Sequence, residues 1–158
     1  MPKAIRIHKT GGPEVLSWDD VEVGDPGPGE VRLKQTAIGV NFIDVYHRTG
    51  LYPLPAMPGC IGSEGAGVIE ALGKGVAGLR EGMRVAYAGA PTGSYAEVRN
   101  YPADRLVPLP DALTDVEAAS LMLQGMTAEY LIRRTYEVRR GDYILVHAAA
   151  GGVGAWAR

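Results

Sequence analysis

Cysteine is almost absent from this chain. Cys60 is the single cysteine in 158 residues, which excludes an intrachain disulfide and any zinc site needing two thiolates from this chain. Apolar runs are also short, and none reaches about 18 residues, the length needed to span a membrane. The formal net charge of −2 gives no electrostatic reason to expect nucleic acid or an anionic membrane as partner. The N-terminal segment lacks the apolar core of a signal peptide, so we expect a cytoplasmic protein.

The first two thirds of the chain read as short strands separated by turns. The 22 glycines and 11 prolines are spread along the sequence rather than clustered. Period-two alternation and short apolar runs predict six strands, over residues 4–7, 15–23, 31–37, 67–72, 84–87 and 95–98. Residues 24–29 form a clear loop, and residues 42–48 predict a short helix closed by Gly50. Six short strands in roughly a hundred residues predict a β-barrel or sandwich.

The pattern changes to helix after Pro108. Thr114 and Glu117 have the spacing of a capping box, which predicts a helix from there to about Leu123. We expect Gly125 to interrupt this helix and helical structure to resume over residues 127–136. The change places a domain boundary around residues 108–124. We therefore predict a β domain over residues 1–124 and a second domain over residues 125–158.

The second domain carries a glycine-rich motif. Residues 143–148 predict a buried strand, followed by Ala149-x-Gly151-x-x-Gly154 and the start of a helix. A glycine bend between strand and helix is how a dinucleotide-binding domain begins, because backbone N–H groups can then approach a pyrophosphate. Alanine replaces the usual first glycine, and a purely structural turn is the alternative. The residue that separates NAD from NADP lies about twenty residues after such a motif, beyond Arg158.

Taken in order, the segments resemble the medium-chain dehydrogenase/reductase superfamily, and within it the zinc-free quinone oxidoreductases related to zeta-crystallin. The matching stretches are residues 8–16, AIGVNFIDVY at 37–46, residues 48–53, PGCIGSEGAGV at 58–68, residues 125–128 and HAAAGGVG at 147–154. The resemblance implies a GroES-like β-barrel domain followed by a Rossmann domain, which makes a mixed β and α/β fold. It also implies NADPH as cofactor and reduction of a quinone.

The same resemblance bears on whether the chain has the ligands to bind zinc. Zinc alcohol dehydrogenases of the superfamily have a cysteine ligand where this chain has Asn41 and a histidine ligand where it has Ser63. Amide and hydroxyl groups are poor Zn²⁺ ligands beside thiolate and imidazole. We therefore expect no metal and no Lewis-acid activation of an alcohol. The acceptor should already be electrophilic, as a quinone or an activated alkene is.

The resemblance also assigns roles to single positions. It implies catalytic roles for Asn41, Tyr46 and Tyr52, which would line the acceptor pocket and donate hydrogen bonds to a quinone carbonyl. The implied cofactor contacts are Asn41, Phe42, Ile43, Asp44, Val45, Tyr46, Thr127 (a hydrogen-bond donor), Tyr130, Gly151, Gly152, Val153 and Gly154. Alternatives stay open: Asn41 as a helix cap, the tyrosines as ordinary half-buried residues, and Glu64 as a loop-holding residue bonded to backbone or an arginine.

Members of this family are much longer than the chain. We therefore expect an incomplete Rossmann domain, with the apolar strand around Ile144 exposed or paired with something else, and an isolated chain that is a poor catalyst. Two other functions stay open. One is an enoyl or enone reductase of the same branch, and the other is a non-catalytic GroES-like binding module. A homodimer is possible.

Overall fold

Two antiparallel sheets make up most of the computed structural model, which describes residues 1–157. The first sheet has the order β2-β1-β4, with β1 at Lys3–Ile7, β2 at Leu16–Asp20 and β4 at Gly59–Cys60. The second has the order β7-β3-β5-β6-β8, with β3 at Glu30–Gly39, β5 at Glu64–Leu72, β6 at Arg84–Ala88, β7 at Val98–Pro102 and β8 at Val107–Pro108. A bridge between Ala4 and Ala96 ties the sheets together.

Five of the six predicted strands are confirmed as β1, β2, β3, β5 and β6. The second is shorter than predicted, because it covers only Leu16–Asp20 of residues 15–23. The sixth prediction, residues 95–98, was wrong. Only Ala96 forms a bridge there, and the strand proper begins at Val98. Strands β4 and β8 have two residues each, which is too short for a periodic pattern.

The main hydrophobic core is formed by side chains of the five-stranded sheet. All of its side chains except Leu106 are alternate residues of neighbouring strands, which face the same side of a sheet. The cluster consists of Val31, Leu33, Ile69, Val85, Tyr87, Tyr101 and Leu106. A second cluster joins this sheet to a helix through the small residues Ala66, Ala86, Ala118 and Ala119. Small side chains on both surfaces let the helix approach the sheet closely.

The first two helices begin where the sequence predicts. Helix α1 spans Phe42–Thr49 and ends at Gly50, whose φ of 85° is the left-handed conformation that favours glycine. Helix α2 spans Asp115–Glu129, and the Thr114 side chain accepts the Glu117 N–H at 3.2 Å, which confirms the capping box.

The predicted interruption at Gly125 was wrong, since α2 runs through it and continues as a π-helical turn over Tyr130–Thr135. A helical glycine costs only about 1 kcal/mol relative to alanine. Packing against β3, β5 and β6 outweighs that.

The predicted buried strand over residues 143–148 was also wrong. Residues 142–146 pair with no strand among residues 1–157, and Tyr143 and Leu145 are 103% and 82% exposed. An apolar pattern becomes a strand only when neighbouring strands supply hydrogen bonds. The short helix α3 at Gly152–Trp156 follows the glycine bend. Arg158, the last residue of the predicted second domain, lies outside the described residues. None of the described helices is long and apolar enough to cross a membrane.

Asp115, at the first turn of α2, links the helix to β3 through Thr36 and to β6 through Arg84. Its Oδ1 accepts from Arg84 Nε at 2.8 Å and its Oδ2 from the Thr36 hydroxyl at 2.6 Å. The Thr36 bond and then the Arg84 guanidinium lower the pKa of Asp115 below its usual value of 3.8. A lowered pKa in the folded state means that the stabilisation is present above about pH 4 and is lost as the pH falls through the folded-state value.

Asp115→Asn should therefore lower the free energy of unfolding by about 1–2 kcal/mol near pH 7, because a charge-assisted pair and its helix-terminus position are lost. The difference from the unmodified chain should shrink near pH 3. Urea unfolding at both pH values measures this. Asp111→Asn, at an exposed position close by in the chain, is the matched control and should change stability by less than about 0.5 kcal/mol. Equal effects of the two variants would contradict the assignment.

Candidate functional site

Asn41 stands where β3 ends and α1 begins, and it is 9% exposed. Its main-chain N–H donates to Asp44 Oδ2 at 2.9 Å, and its side-chain Nδ2 donates to Glu64 Oε2 at 2.7 Å. The helix-cap alternative is therefore confirmed, since Asn41 is the N-cap of α1. Asn41 and Asp44 form a capping box, in which the Asn41 N–H donates to the Asp44 carboxylate, while the amide nitrogen of Asn41 donates to Glu64. Its role toward an acceptor stays a prediction.

Glu64 is the most deeply buried charged residue near Asn41, with 1% of its surface exposed. Its second carboxylate oxygen, Oε1, accepts the backbone N–H of Leu123 in α2 at 2.7 Å. Burial raises the pKa of Glu64, and the hydrogen bonds from Asn41 and Leu123 oppose that rise. Of the two alternatives from the sequence, backbone rather than arginine is its partner. The backbone belongs to a helix and not to a loop.

Asp44 is a second buried carboxylate, 3% exposed, on the other side of Asn41. Besides the Asn41 N–H, it accepts the Tyr95 hydroxyl at 2.8 Å and the Ser63 hydroxyl at 3.3 Å. Burial and then the bond to Asp44 raise the pKa of Tyr95, so the phenol stays protonated and remains a donor. Asp44 thus supports Asn41 from the buried face of α1, and its carboxylate is already engaged with three donors.

An aromatic cluster covers the outer face of α1. Phe42 and Tyr46 lie one helical turn apart, with ring centroids 5.3 Å apart, and Tyr46 meets Tyr52 at 5.2 Å, both edge to face. The Tyr52 N–H donates to the Tyr46 carbonyl at 3.1 Å, which holds the loop after α1 against the helix. Within residues 1–157 neither tyrosine hydroxyl bonds another residue. Two of the three predicted acceptor-site residues are thus in contact. Ile43 and Val45 are half-buried on α1.

A cleft of about 350 Å³ lies between the end of β3 and α2. Its lining includes Gly39, Val40, Glu64, Ala119, Ser120 and Gln124. Gln124 also packs on the glycine bend, because a Cβ at Gly152 would lie 2.6 Å from its Nε2. The cleft and the bend therefore meet at Gln124.

The bend itself closes tightly. A Cβ at Gly154 would lie 2.7 Å from the Ala149 Cα, so only glycine allows the first turn of α3 to fold back on residues 148–149. The Gly151 N–H donates to the Ala148 carbonyl at 2.7 Å, and Ala148 has a φ of 52°. Val153 is half-buried within the same turn. This compact bend would bring backbone N–H groups together at the start of α3, which is the arrangement that a bound pyrophosphate requires.

Two predicted cofactor contacts lie near the C-terminal end of α2. Tyr130 begins the π-helical turn and is 58% exposed. Thr127 donates its hydroxyl hydrogen to the Leu123 carbonyl at 2.7 Å. The predicted role of Thr127 as a donor therefore does not fit this arrangement, in which it presents an acceptor oxygen instead.

Sequence reasoning missed Gly39, Leu123 and Gln124. Gly39 faces Glu64 in the register of β3 and β5, and a Cβ there would overlap both the Ala119 carbonyl and the Glu64 carboxylate. A glycine ending a strand before Asn41 was the available signal. Leu123 contributes only its backbone N–H, which no sequence pattern reveals.

Comparison with known proteins decides the family. Residues 27–111, more than half of the chain, match the alcohol dehydrogenase GroES-like domain. The chain belongs to this family. The GroES-like fold and the mixed fold class are thereby confirmed.

Relatives of this GroES-like chain include proteins named as oxidoreductases. It is 52% identical to a quinone oxidoreductase of Pseudomonas aeruginosa over 99% of its own length and 48% of that protein. It is 49% identical to a 2-haloacrylate reductase of a Burkholderia species, over 100% and 50% of the two chains. The crystal structure of Escherichia coli quinone oxidoreductase complexed with NADPH superposes with a TM-score of 0.95 at 44% identity, over 98% and 48%. The GroES-like chain spans about half the length of these relatives.

Proposed function

We propose that this GroES-like chain is part of an NADPH-dependent quinone oxidoreductase. The observation that carries the proposal is the Asn41 amide, whose nitrogen is fixed by Glu64 at the start of the helix that bears Tyr46. A fixed N–H donor beside an aromatic surface suits a planar carbonyl compound. The names of the relatives support the same reaction.

NADPH would bind across the glycine bend and the end of α2. The bend fits a pyrophosphate, because Gly154 lets its backbone fold closely and Gly152 lies at the start of α3. Gly151 and Val153 would share this contact, and Tyr130 would lie along the cofactor. NADPH supplies the hydride, which is the difficult part of the chemistry. The protein's own contribution is binding, orientation and hydrogen bonding.

The chain's donors would act on the acceptor oxygen. Asn41 Nδ2 has a second hydrogen beyond the one given to Glu64, and the hydroxyls of Tyr46 and Tyr52 point to no described partner. Donors held in place stabilise the negative charge that develops on a quinone oxygen as it receives a hydride. Water then supplies the proton that completes the hydroquinone.

We propose that this reaction is independent of zinc. The two positions that hold zinc in the superfamily's alcohol dehydrogenases carry Asn41 and Ser63, and both donate to buried carboxylates. Neither offers the thiolate or imidazole that Zn²⁺ prefers. A chelator should accordingly leave quinone reduction unchanged.

The single cysteine fits the reducing cytoplasm, which we propose as the compartment. A homodimer stays a prediction.

Reduction of an activated alkene is the second candidate. The relative named 2-haloacrylate reductase favours it, and hydride delivery to an alkene conjugated with a carbonyl needs the same oxygen-facing donors. Comparing para-benzoquinone with an α,β-unsaturated ketone as acceptors separates the two. A non-catalytic binding module would reduce neither.

The first test is an NADPH fluorescence titration of the 158-residue chain. We expect a saturable change, because the bend, α2 and α1 are all present. We also expect slow reduction of para-benzoquinone, below roughly a hundredth of the rate of the Pseudomonas aeruginosa relative, because poor positioning of the reactants can cost about 10²-fold and the segment around Ile144 is unpaired. A flat titration would contradict a cofactor site on this polypeptide, and a rate equal to the relative's would contradict the expected weakness.

A further inference from the structure

Glu64 is an unusual residue for its surroundings. It is 1% exposed, and no lysine, arginine or histidine within residues 1–157 forms an ion pair with it. A buried carboxylate without a counter-ion is unfavourable unless hydrogen bonds compensate for lost water. Here two bonds of 2.7 Å compensate, one from Asn41 Nδ2 and one from the Leu123 N–H. An apolar side chain would fill the same space without the charge, so the carboxylate has a use beyond packing.

The first consequence concerns the Asn41 amide. An amide can turn over with little change of shape, exchanging its nitrogen and oxygen. A carboxylate only accepts hydrogen bonds, so Glu64 selects the orientation with Nδ2 toward it. Asp44 holds the main chain of Asn41 at 2.9 Å. Together the two carboxylates fix both the position of Asn41 and the orientation of its amide.

The second consequence concerns α2. In a regular α-helix the Leu123 N–H bonds the carbonyl four residues earlier, that of Ala119. Glu64 reaches this N–H from the neighbouring strand, and Gly39 leaves room for it because any side chain there would overlap Glu64 and the Ala119 carbonyl. The next residue, Gln124, packs on Gly152 of the glycine bend. A continuous set of contacts thus joins the bend to the Asn41 amide.

We propose that Glu64 is the positioning residue of the acceptor site: it holds the Asn41 amide with its nitrogen as donor and links that orientation to α2. Glu64 itself makes and breaks no bond. The inference rests on the proposed function for its catalytic meaning. The orientation of the amide can be measured without any turnover.

The test follows the side-chain amide of Asn41 by ¹⁵N–¹H correlation spectra of the full chain, with its signals assigned by their absence in Asn41→Ala. We expect two well-separated amide hydrogens, because one bonds a carboxylate and one does not, with slow exchange of the bonded hydrogen. In Glu64→Gln the separation should collapse and the exchange should become roughly tenfold faster or more, because glutamine has an oxygen at only one of the two positions where Glu64 accepts and an NH₂ group at the other. Glu70→Gln, at an exposed position of the same strand, is the matched control and should change neither.

If Glu64→Gln does not fold, Glu64→Asp replaces it. Its shorter carboxylate cannot reach both partners, so we expect the same collapse. Unchanged Asn41 signals in the folded variant, or a wild-type amide without a bonded hydrogen, would overturn the inference.

Catalytic activity and NADPH binding are measured in separate experiments. The residual rate of para-benzoquinone reduction should fall roughly tenfold or more in Glu64→Gln, as expected when a donor loses its alignment, and this fall should exceed the shift of the NADPH titration midpoint. If the fluorescence of the unmodified chain does not change with NADPH, the proposed function is contradicted, but the role of Glu64 is not. The amide spectra test that role independently. An equal loss of NADPH binding and rate would indicate a merely structural role.

Discussion

Replacing Gly39 with alanine should lower the free energy of unfolding by about 3 kcal/mol. The new Cβ would lie 2.8 Å from the Glu64 Cδ and would overlap the Ala119 carbonyl as well. One of these neighbours is helix backbone, so the clash cannot be relieved by a change of rotamer alone. Overpacking of this kind costs about 1–3 kcal/mol, and displacing Glu64 adds the loss of a buried hydrogen bond.

Urea unfolding of the purified chain measures the effect. Gly24→Ala is the matched control, because nothing lies within 4 Å of a Cβ at Gly24 and its backbone is not in the left-handed region. It should change stability by less than about 0.5 kcal/mol. The steric argument fails if Gly39→Ala unfolds at the same urea concentration as Gly24→Ala.

Replacing Arg99 with methionine should destabilise the chain by a similar amount, about 3 kcal/mol. Arg99 is 8% exposed, and its guanidinium carbon lies 4.7 Å from the Tyr101 ring centroid. Its Nη2 donates to the carbonyls of Pro91 at 2.9 Å and Thr92 at 3.2 Å. Methionine retains the apolar volume but loses the stacked cation and leaves two carbonyls without their donor, each change worth about 1–2 kcal/mol.

Arg80→Met is the control for this change, because it removes the same charge from an exposed position. It should shift stability by less than about 0.5 kcal/mol. Arg99→Lys adds a second comparison: it keeps the charge but lacks the planar fork, so it should recover less than half of the loss. Full recovery by lysine would mean that charge alone, and not stacking and paired donors, stabilises this interior.

Local rules predicted the elements whose signals are local. The alternation of residues 31–37 gives β3, the Thr114–Glu117 capping box gives the start of α2, and Gly50 ends α1. The strand prediction at residues 143–148 used the same rules and failed, because a strand also needs hydrogen-bonding neighbours. The helix continued through Gly125 because its packing against the sheet exceeds a small propensity penalty.

The candidate site also has a part that could be predicted from the sequence and a part that could not. The resemblance indicated Asn41, Tyr46 and Tyr52, and the contact between the two tyrosines follows from α1 and the loop after it. The bonds that give Asn41 its orientation come from β5 and, through Glu64, from α2. These elements are far apart in sequence, and neither residue spacing nor composition records which donor a buried carboxylate meets. Only the folded arrangement shows it.

Helix α2 also sets where chimaeras of this family can be joined. It packs on β3, β5 and β6 at its start, donates to Glu64 from Leu123, and packs on the glycine bend through Gln124. A crossover inside this helix would combine a carboxylate from one parent with a helix shaped for another. A junction after Tyr136, where the chain is exposed and belongs to no strand among residues 1–157, would keep the helix with the strands on which it packs.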